Sequence, residues 1–199
     1  MRAESGRGRA QACDPGVAVP LCAFCNAAKQ SSREYGIMSA PMNEHLLNND
    51  YRDMIECLLK AGVDFMLVGG YAVALHGWPR TTFDIDFWIM ANSENAKAVV
   101  QAIRAFGAPL MDLTEADFHK PGMVFQIGAA PQRIDIISAI DGLDYTEAVG
   151  RAVRMNVDGL DIKVISLDDL IVNKRASGRP KDIADALALE KLKARSGNG

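Results

Sequence analysis

Tyr51, Met54, Ile55, Leu58 and Leu59 recur at spacings of three and four, which predicts one apolar face of a helix. Asn49 or Asp50 suits its start as a cap, and Gly62 suits its end. The next run, Asp64 to Val68, is short and apolar, the pattern of a buried strand. Gly69-Gly70 interrupts it, and Tyr71 to Gly77 reads as a short helix. After Trp78-Pro79 the period changes to two: Thr82, Asp84 and Asp86 fall on one face of a strand, Phe83, Ile85 and Phe87 on the other. Ser93 can cap a helix running through Val99, Val100, Ile103 and Phe106 and closed by Gly107. Met123 to Ile127 and Arg133 to Ser138 read as an antiparallel hairpin around a short turn. Leu160, Ile162 and Val164 alternate in a further strand. Ser166, with Asp169 three residues on, resembles a capping box for a helix to about Ala176. Ser177-Gly178 breaks the chain, and Pro180 suits the first turn of a last helix to about Leu192. Helices intermixed with strands, at least one pair antiparallel, predict an α/β (α+β) chain: a mixed β-sheet with helices packed on it.

The 199 residues are 49% hydrophobic and 24% charged, an ordinary balance for one globular domain. A net charge of -3 excludes a generally basic nucleic-acid coat, though not a local basic patch. The uncharged stretch from Phe65 to Leu75 is too short for a bilayer, which needs about 20 apolar residues. No segment joins a basic start to an apolar stretch and a cleavage site, so the expected location is cytoplasmic, with no membrane partner.

Charge is unevenly placed: residues 1–41 carry a net +2. That stretch shows no period of 2 or 3.6 and is rich in Ala, Gly, Ser and Arg, the composition of a disordered leader to a domain over residues 42–195. Met38 and Met42 could each begin that domain. The leader holds Cys22-Ala-Phe-Cys25, half of a zinc knuckle or a redox pair. Cys13 and His45 have no ligand spacing, Cys57 falls in a helical pattern, and the pair reads as incidental.

Two carboxylates on one strand face, Asp84 and Asp86, repel each other wherever water is partly excluded. A proton or a metal must then neutralise one, and hard oxygen donors favour a divalent cation. The bland alternative is a solvated strand face. Asp135, flanked by Ile134 and Ile136, is expected to join the same face from the second hairpin strand. Three such acids can hold two magnesium ions about 3.5–4 Å apart for in-line displacement at phosphorus. Gly69-Gly70, between a strand and a helix, would let backbone N–H groups approach a phosphate. His76, Trp78 and Trp88 read as packing residues, His119 has no partner pattern, and the charges from Lys181 to Arg195 read as a solvated face.

The ordered series Phe65-Met-Leu-Val-Gly69-Gly70, a short helix, Arg80-Thr-Thr, then Asp84-Ile-Asp86 resembles the signature of the nucleotidyltransferase superfamily that includes DNA polymerase β. It is most similar to the small bacterial branch of AbiEii-type toxins and antibiotic adenylyltransferases, over about residues 50–190. The resemblance implies the nucleotidyltransferase fold and transfer of an NMP from an NTP to an acceptor such as tRNA, protein or a small molecule. It implies Asp84, Asp86 and Asp135 as catalytic and metal-binding residues for two Mg2+ ions. It also implies Gly69, Gly70, Arg80, Lys174, Arg179 and Lys181 around the nucleotide, with Asp182 orienting one of the cations. A toxin–antitoxin role, with an antitoxin as partner, is a further implication. The alternative is a non-catalytic nucleotide-binding or interaction module that keeps the fold. Many superfamily members have Gly-Ser where this chain has Gly69-Gly70, and few residues follow Asp135 for a separate acceptor domain.

Overall fold

The computed structural model describes residues 46–129 and 132–196. The expected leader over residues 1–41, with Cys22 and Cys25, lies outside the described residues, as does His45.

The first helix, α1 (Asn49–Lys60), starts one residue earlier than a cap at Asn49 would require, because Asn48 takes that role: its side-chain oxygen accepts from Tyr51 N at 2.8 Å. Tyr51, Met54, Ile55 and Leu58 are buried as the periodicity predicts, while Leu59, at the edge of the stripe, is 40% exposed. β1 (Phe65–Val68) is buried at every position, so both faces of the sheet are covered at its centre. α2 (Gly69–Leu75) follows without a loop, and β2 (Asp84–Ile89) returns antiparallel to β1. α3 (Ser93–Phe106) is capped by Asn92, and Gly107 closes it in the left-handed region at φ 87°. β3 (Val124–Ala129) and β4 (Gln132–Ile137) form the expected antiparallel hairpin. β6 (Leu160–Val164) leads to α6 (Leu167–Ser177), capped by Ser166, and α7 (Pro180–Ser196) completes the terminal helical pair.

Four elements are absent from the sequence expectation, one of them a single 3-10 turn over Val149–Arg151. α4 (Glu115–Phe118) and α5 (Tyr145–Ala148) are single turns closed by Thr114 and Asp144 caps, too short to show a period. β5 (Val153–Val157) pairs only with β6 at the edge of the sheet; Val153, Met155 and Val157 alternate with Arg154 and Asn156, a period-2 signal that sequence reasoning passed over, and of these residues only Val157 is buried.

The six strands run in the order β3-β4-β2-β1-β6-β5, with β1 parallel to β6 and β2 parallel to β4. This mixed sheet agrees with the expected class. Ile85, Phe87, Trp88 and Ile89 of β2 are all essentially inaccessible, and burial of each such side chain stabilises the fold by about 1.5–3 kcal/mol. β2 is therefore a rigid support for the acids it carries. Phe83, expected on that packed face, is 58% exposed instead, because the strand begins only at Asp84. Among the described residues no helix is long and apolar enough to cross a membrane.

Candidate functional site

Asp84 and Asp86 leave the core face of β2 to Ile85 and Phe87 and project to the other side. β4 lies beside β2 in a register that sets Arg133 opposite Asp84 and Asp135 opposite Asp86. Parallel pairing thus brings three carboxylates and one guanidinium onto one patch of sheet. The alternation on β2 ends at Trp88, which is buried although it shares the parity of the aspartates, so the open patch stops there.

Gly69 and Gly70 sit against the same patch. Gly69 adopts φ +68°, and a Cβ at this position would lie 1.9 Å from Asp86 Oδ2. A Cβ at Gly70 would lie 2.6 Å from Thr82 Oγ1. These glycines are needed first for the close approach of Asp86 and Thr82. Open backbone N–H groups at the start of α2 come with them, since Val68 supplies no side-chain cap.

The carboxylates have different surroundings. Burial alone would raise the Asp84 pKa, but the Thr82 hydroxyl at 2.6 Å and the charges of Lys181 and Arg133 outweigh it and hold the group below its usual range. Asp86 receives no hydrogen bond from the described residues. Burial, then the neighbouring charges of Asp84 and Asp135, push it up to about 7 despite the opposing pull of Lys174 and Arg133. Asp135 is gripped by Arg133 through two bonds, Nε to Oδ1 at 2.7 Å and Nη2 to Oδ2 at 2.9 Å. The same Nη2 reaches Asp84 Oδ2 at 3.4 Å.

The terminal helical pair supplies cations. Lys174, on α6, is buried with its Nζ 2.7 Å from Asp182 Oδ1 and 3.5 Å from Asp185 Oδ2. Asp182, fully buried, also accepts from Ser177 at 2.9 Å and from Arg179 Nε at 2.5 Å. Burial works against ionised Asp182, yet Lys174, Ser177 and Arg179 hold its pKa low. Arg80 pairs with Asp185 at 2.8 Å, so it ties the loop before β2 to α7 rather than touching Asp84 or Asp86. Lys181 is exposed and forms no ion pair among the described residues.

One cleft of about 350 Å³ is lined by all nine residues singled out in the sequence: Gly69, Gly70, Arg80, Asp84, Asp86, Asp135, Lys174, Arg179 and Lys181. That volume falls in the ordinary range for small-ligand sites. His76, by contrast, packs a helix end, its Nε2 2.7 Å from the Ile165 carbonyl oxygen. Trp88 is core, stacked edge-on against Tyr145.

Sequence reasoning missed Arg133 and Asp185. Arg133 precedes Asp135 by two strand residues, the same parity signal that joined Asp84 to Asp86. Asp185 follows Asp182 by three on the helix face that buries Ala186 and Leu189, a periodicity that would have exposed it.

A family model described as "Nucleotidyl transferase of unknown function" (DUF2204) matches residues 47–197, which takes in every element of the cleft. The chain belongs to this nucleotidyl transferase family. Two crystal structures are similar at low identity. A provisionally assigned nucleotidyltransferase from Thermotoga maritima shares 16% identity at TM-score 0.47, covering 77% of this chain and 99% of its own. An antigenic nucleotidyltransferase-like protein from Paracoccidioides brasiliensis shares 18% identity at TM-score 0.43, covering 72% of this chain and 75% of its own. No curated protein matches the chain.

The donor set bears on whether this member of the family can hold a metal. Among the described residues no three His, Cys, Asp or Glu side chains are grouped closely enough to hold one ion. Both oxygens of Asp135 already accept from Arg133. Asp84 and Asp86 fit a divalent cation, being adjacent hard oxygen donors on one strand face, with Asp86 free of hydrogen bonds from the described residues. At Asp135 a cation would meet the Arg133 guanidinium already bonded to both oxygens.

Proposed function

We propose that this member of the family is a magnesium-dependent enzyme that moves an NMP from an NTP to an acceptor hydroxyl. The acceptor oxygen would form a bond to the α-phosphorus, the bond from that phosphorus to pyrophosphate would break, and pyrophosphate would depart. One observation carries the reading: three carboxylates on the sheet face Lys174, Arg179 and Lys181 across a single cleft. Such a pairing suits a substrate that is itself polyanionic and needs cations on both sides.

Two magnesium ions held by Asp84, Asp86 and Asp135 would supply the positive charge that the acids lack and that the triphosphate needs. The residues of the chain do the rest. Gly69 and Gly70 offer backbone N–H groups to the phosphates. Lys181 and Arg179 neutralise the outer phosphates, and buried Lys174 holds Asp182 and Asp185 so that Arg179 and Arg80 stay aligned at the rim. Asp135 helps take the proton from the attacking hydroxyl. Position and charge, rather than a covalent intermediate, account for the rate.

The acceptor in this proposal is an RNA such as tRNA, a protein or a small molecule. Kinship with AbiEii-type toxins, an antitoxin partner and a cytoplasmic location belong to the same proposal. A second reading, a non-catalytic nucleotide-binding module, is favoured by the Arg133 pair, which already neutralises Asp135. Calorimetry of NTP binding separates them. The enzyme predicts binding that strengthens by at least an order of magnitude with magnesium and loses this gain in Asp84→Asn; metal-independent binding, or none, contradicts it.

A further inference from the structure

Arg133 is held in place by strand pairing as well as by its own bonds. The β2/β4 register puts its Cα opposite Asp84, and its side chain runs along β4 to the acid two residues on. Both oxygens of Asp135 are taken, at 2.7 and 2.9 Å, and the contact to Asp84 Oδ2 is looser at 3.4 Å. A two-bond guanidinium–carboxylate pair is strong and geometrically specific. It takes one lone-pair site on each oxygen and sets a positive charge beside them, which opposes a divalent cation at close range. Asp86, two residues from Asp84 and facing Asp135, carries no such partner among the described residues. The three acids are therefore unequal: one is claimed, one is touched and one is open.

We infer that Arg133 is a resident counter-ion that exchanges with metal, so that ion entry is ordered. A divalent cation first meets Asp84 and Asp86; Asp135 becomes a ligand only when the guanidinium lets go. Arg133 has somewhere to move. Its side chain is 34% exposed and borders, with Arg80 and Lys181, a second recess of about 260 Å³ that opens beside Asp84. There the guanidinium meets phosphate oxygens instead of a carboxylate, and nucleotide arrival compensates the broken pair. Arg133 is thus a positioning residue: it acts on the metal site through Asp135. This rests on the metal-site reading given under the proposed function.

The test uses Mn2+ alone, titrated into the full chain without nucleotide and followed by calorimetry and by the electron paramagnetic resonance signal of free ion. Arg133→Gln should bind Mn2+ roughly tenfold more tightly than the parent, the equivalent of one charge-assisted hydrogen bond no longer broken on binding. Asp135→Asn should leave parent Mn2+ affinity nearly unchanged but reverse the gain in the Arg133→Gln background. A merely structural arginine would not move this coupling. Equal or weaker binding by Arg133→Gln, or equal weakening by Asp135→Asn in both backgrounds, overturns the inference while leaving the metal site in place. Failure of parent and variants alike to bind Mn2+ overturns both. Circular dichroism checks the fold. If Arg133→Gln unfolds, Arg133→Lys keeps the charge but loses the two-bond grip, and it too must bind Mn2+ more tightly than the parent.

Discussion

Ionised Asp86 should cost the folded protein stability, and Asp86→Asn should recover it. The carboxyl is pushed up to about 7 from an ordinary 3.8, by burial first and then by Asp84 and Asp135. A shift of that size corresponds to about 4 kcal/mol, and the solvent that still reaches the largely buried group reduces the effective figure to ~2–3 kcal/mol. The sign follows from proton counting. Between about pH 4 and 7 the folded state holds a proton that the unfolded state has released, so stability falls as pH rises through that window and levels off above it. The neutral amide in Asp86→Asn carries no such dependence. Urea and thermal melts of parent and variant at pH 5, 6, 7 and 8 should therefore diverge progressively. At pH 8 the variant should be ~2–3 kcal/mol more stable, on the order of 5–10 °C in Tm for a domain of this size. Magnesium at pH 8 should stabilise the parent much more than the variant. Parallel pH profiles, or a variant less stable at pH 8, would refute the account of Asp86 as an uncompensated buried acid.

Other substitutions probe the rest of the site. Gly69→Ala should destabilise by about 1–3 kcal/mol from its φ of +68° alone and should also displace Asp86, seen as a lower Tm together with lost metal binding. Asp182→Asn leaves the buried Lys174 ammonium short of its main partner and should cost about 3 kcal/mol in urea unfolding, whereas a loss under about 1 kcal/mol would mean that Asp185 suffices. Lys181→Glu should weaken NTP binding by about 1–3 kcal/mol, and NMP binding less, because only the former carries outer phosphates. Equal affinities in calorimetry would leave Lys181 an ordinary solvated charge.

The parts of this molecule legible in the sequence are those written in local periods. The alternation of β2 put Asp84 and Asp86 on one side, and the stripe through Tyr51, Met54, Ile55 and Leu58 gave α1 its buried face. The glycine pair was legible as a turn, but its physical cause was not. The close approach of Asp86 Oδ2 and Thr82 Oγ1 arises between segments more than ten residues apart. The parity that sets Arg133 beside Asp135 was legible, but its contact with Asp84 was not, because that follows from the β2/β4 register, which joins residues 49 apart. Phe83 misled because strict alternation was extended one residue beyond the start of the paired strand. β5 was overlooked although Val153, Met155 and Val157 alternate with polar residues: five residues make a short signal, and only its pairing with β6 at the sheet edge settles it. The cations of α6 and α7 were named from resemblance, yet the buried acids that fix them, Asp182 and Asp185, decide where they point.

Nucleotidyl rather than phosphoryl transfer is the central claim, and the position of a radiolabel tests it most directly. The full chain is incubated with magnesium and each NTP, labelled in parallel at the α- or γ-phosphorus, together with separate RNA, protein and small-molecule fractions of a cell extract. Nucleotidyl transfer predicts α-label incorporated into one fraction, γ-label released as pyrophosphate, and neither event with Asp84→Asn. Incorporation of γ-label, or no incorporation of α-label into any fraction, would contradict it.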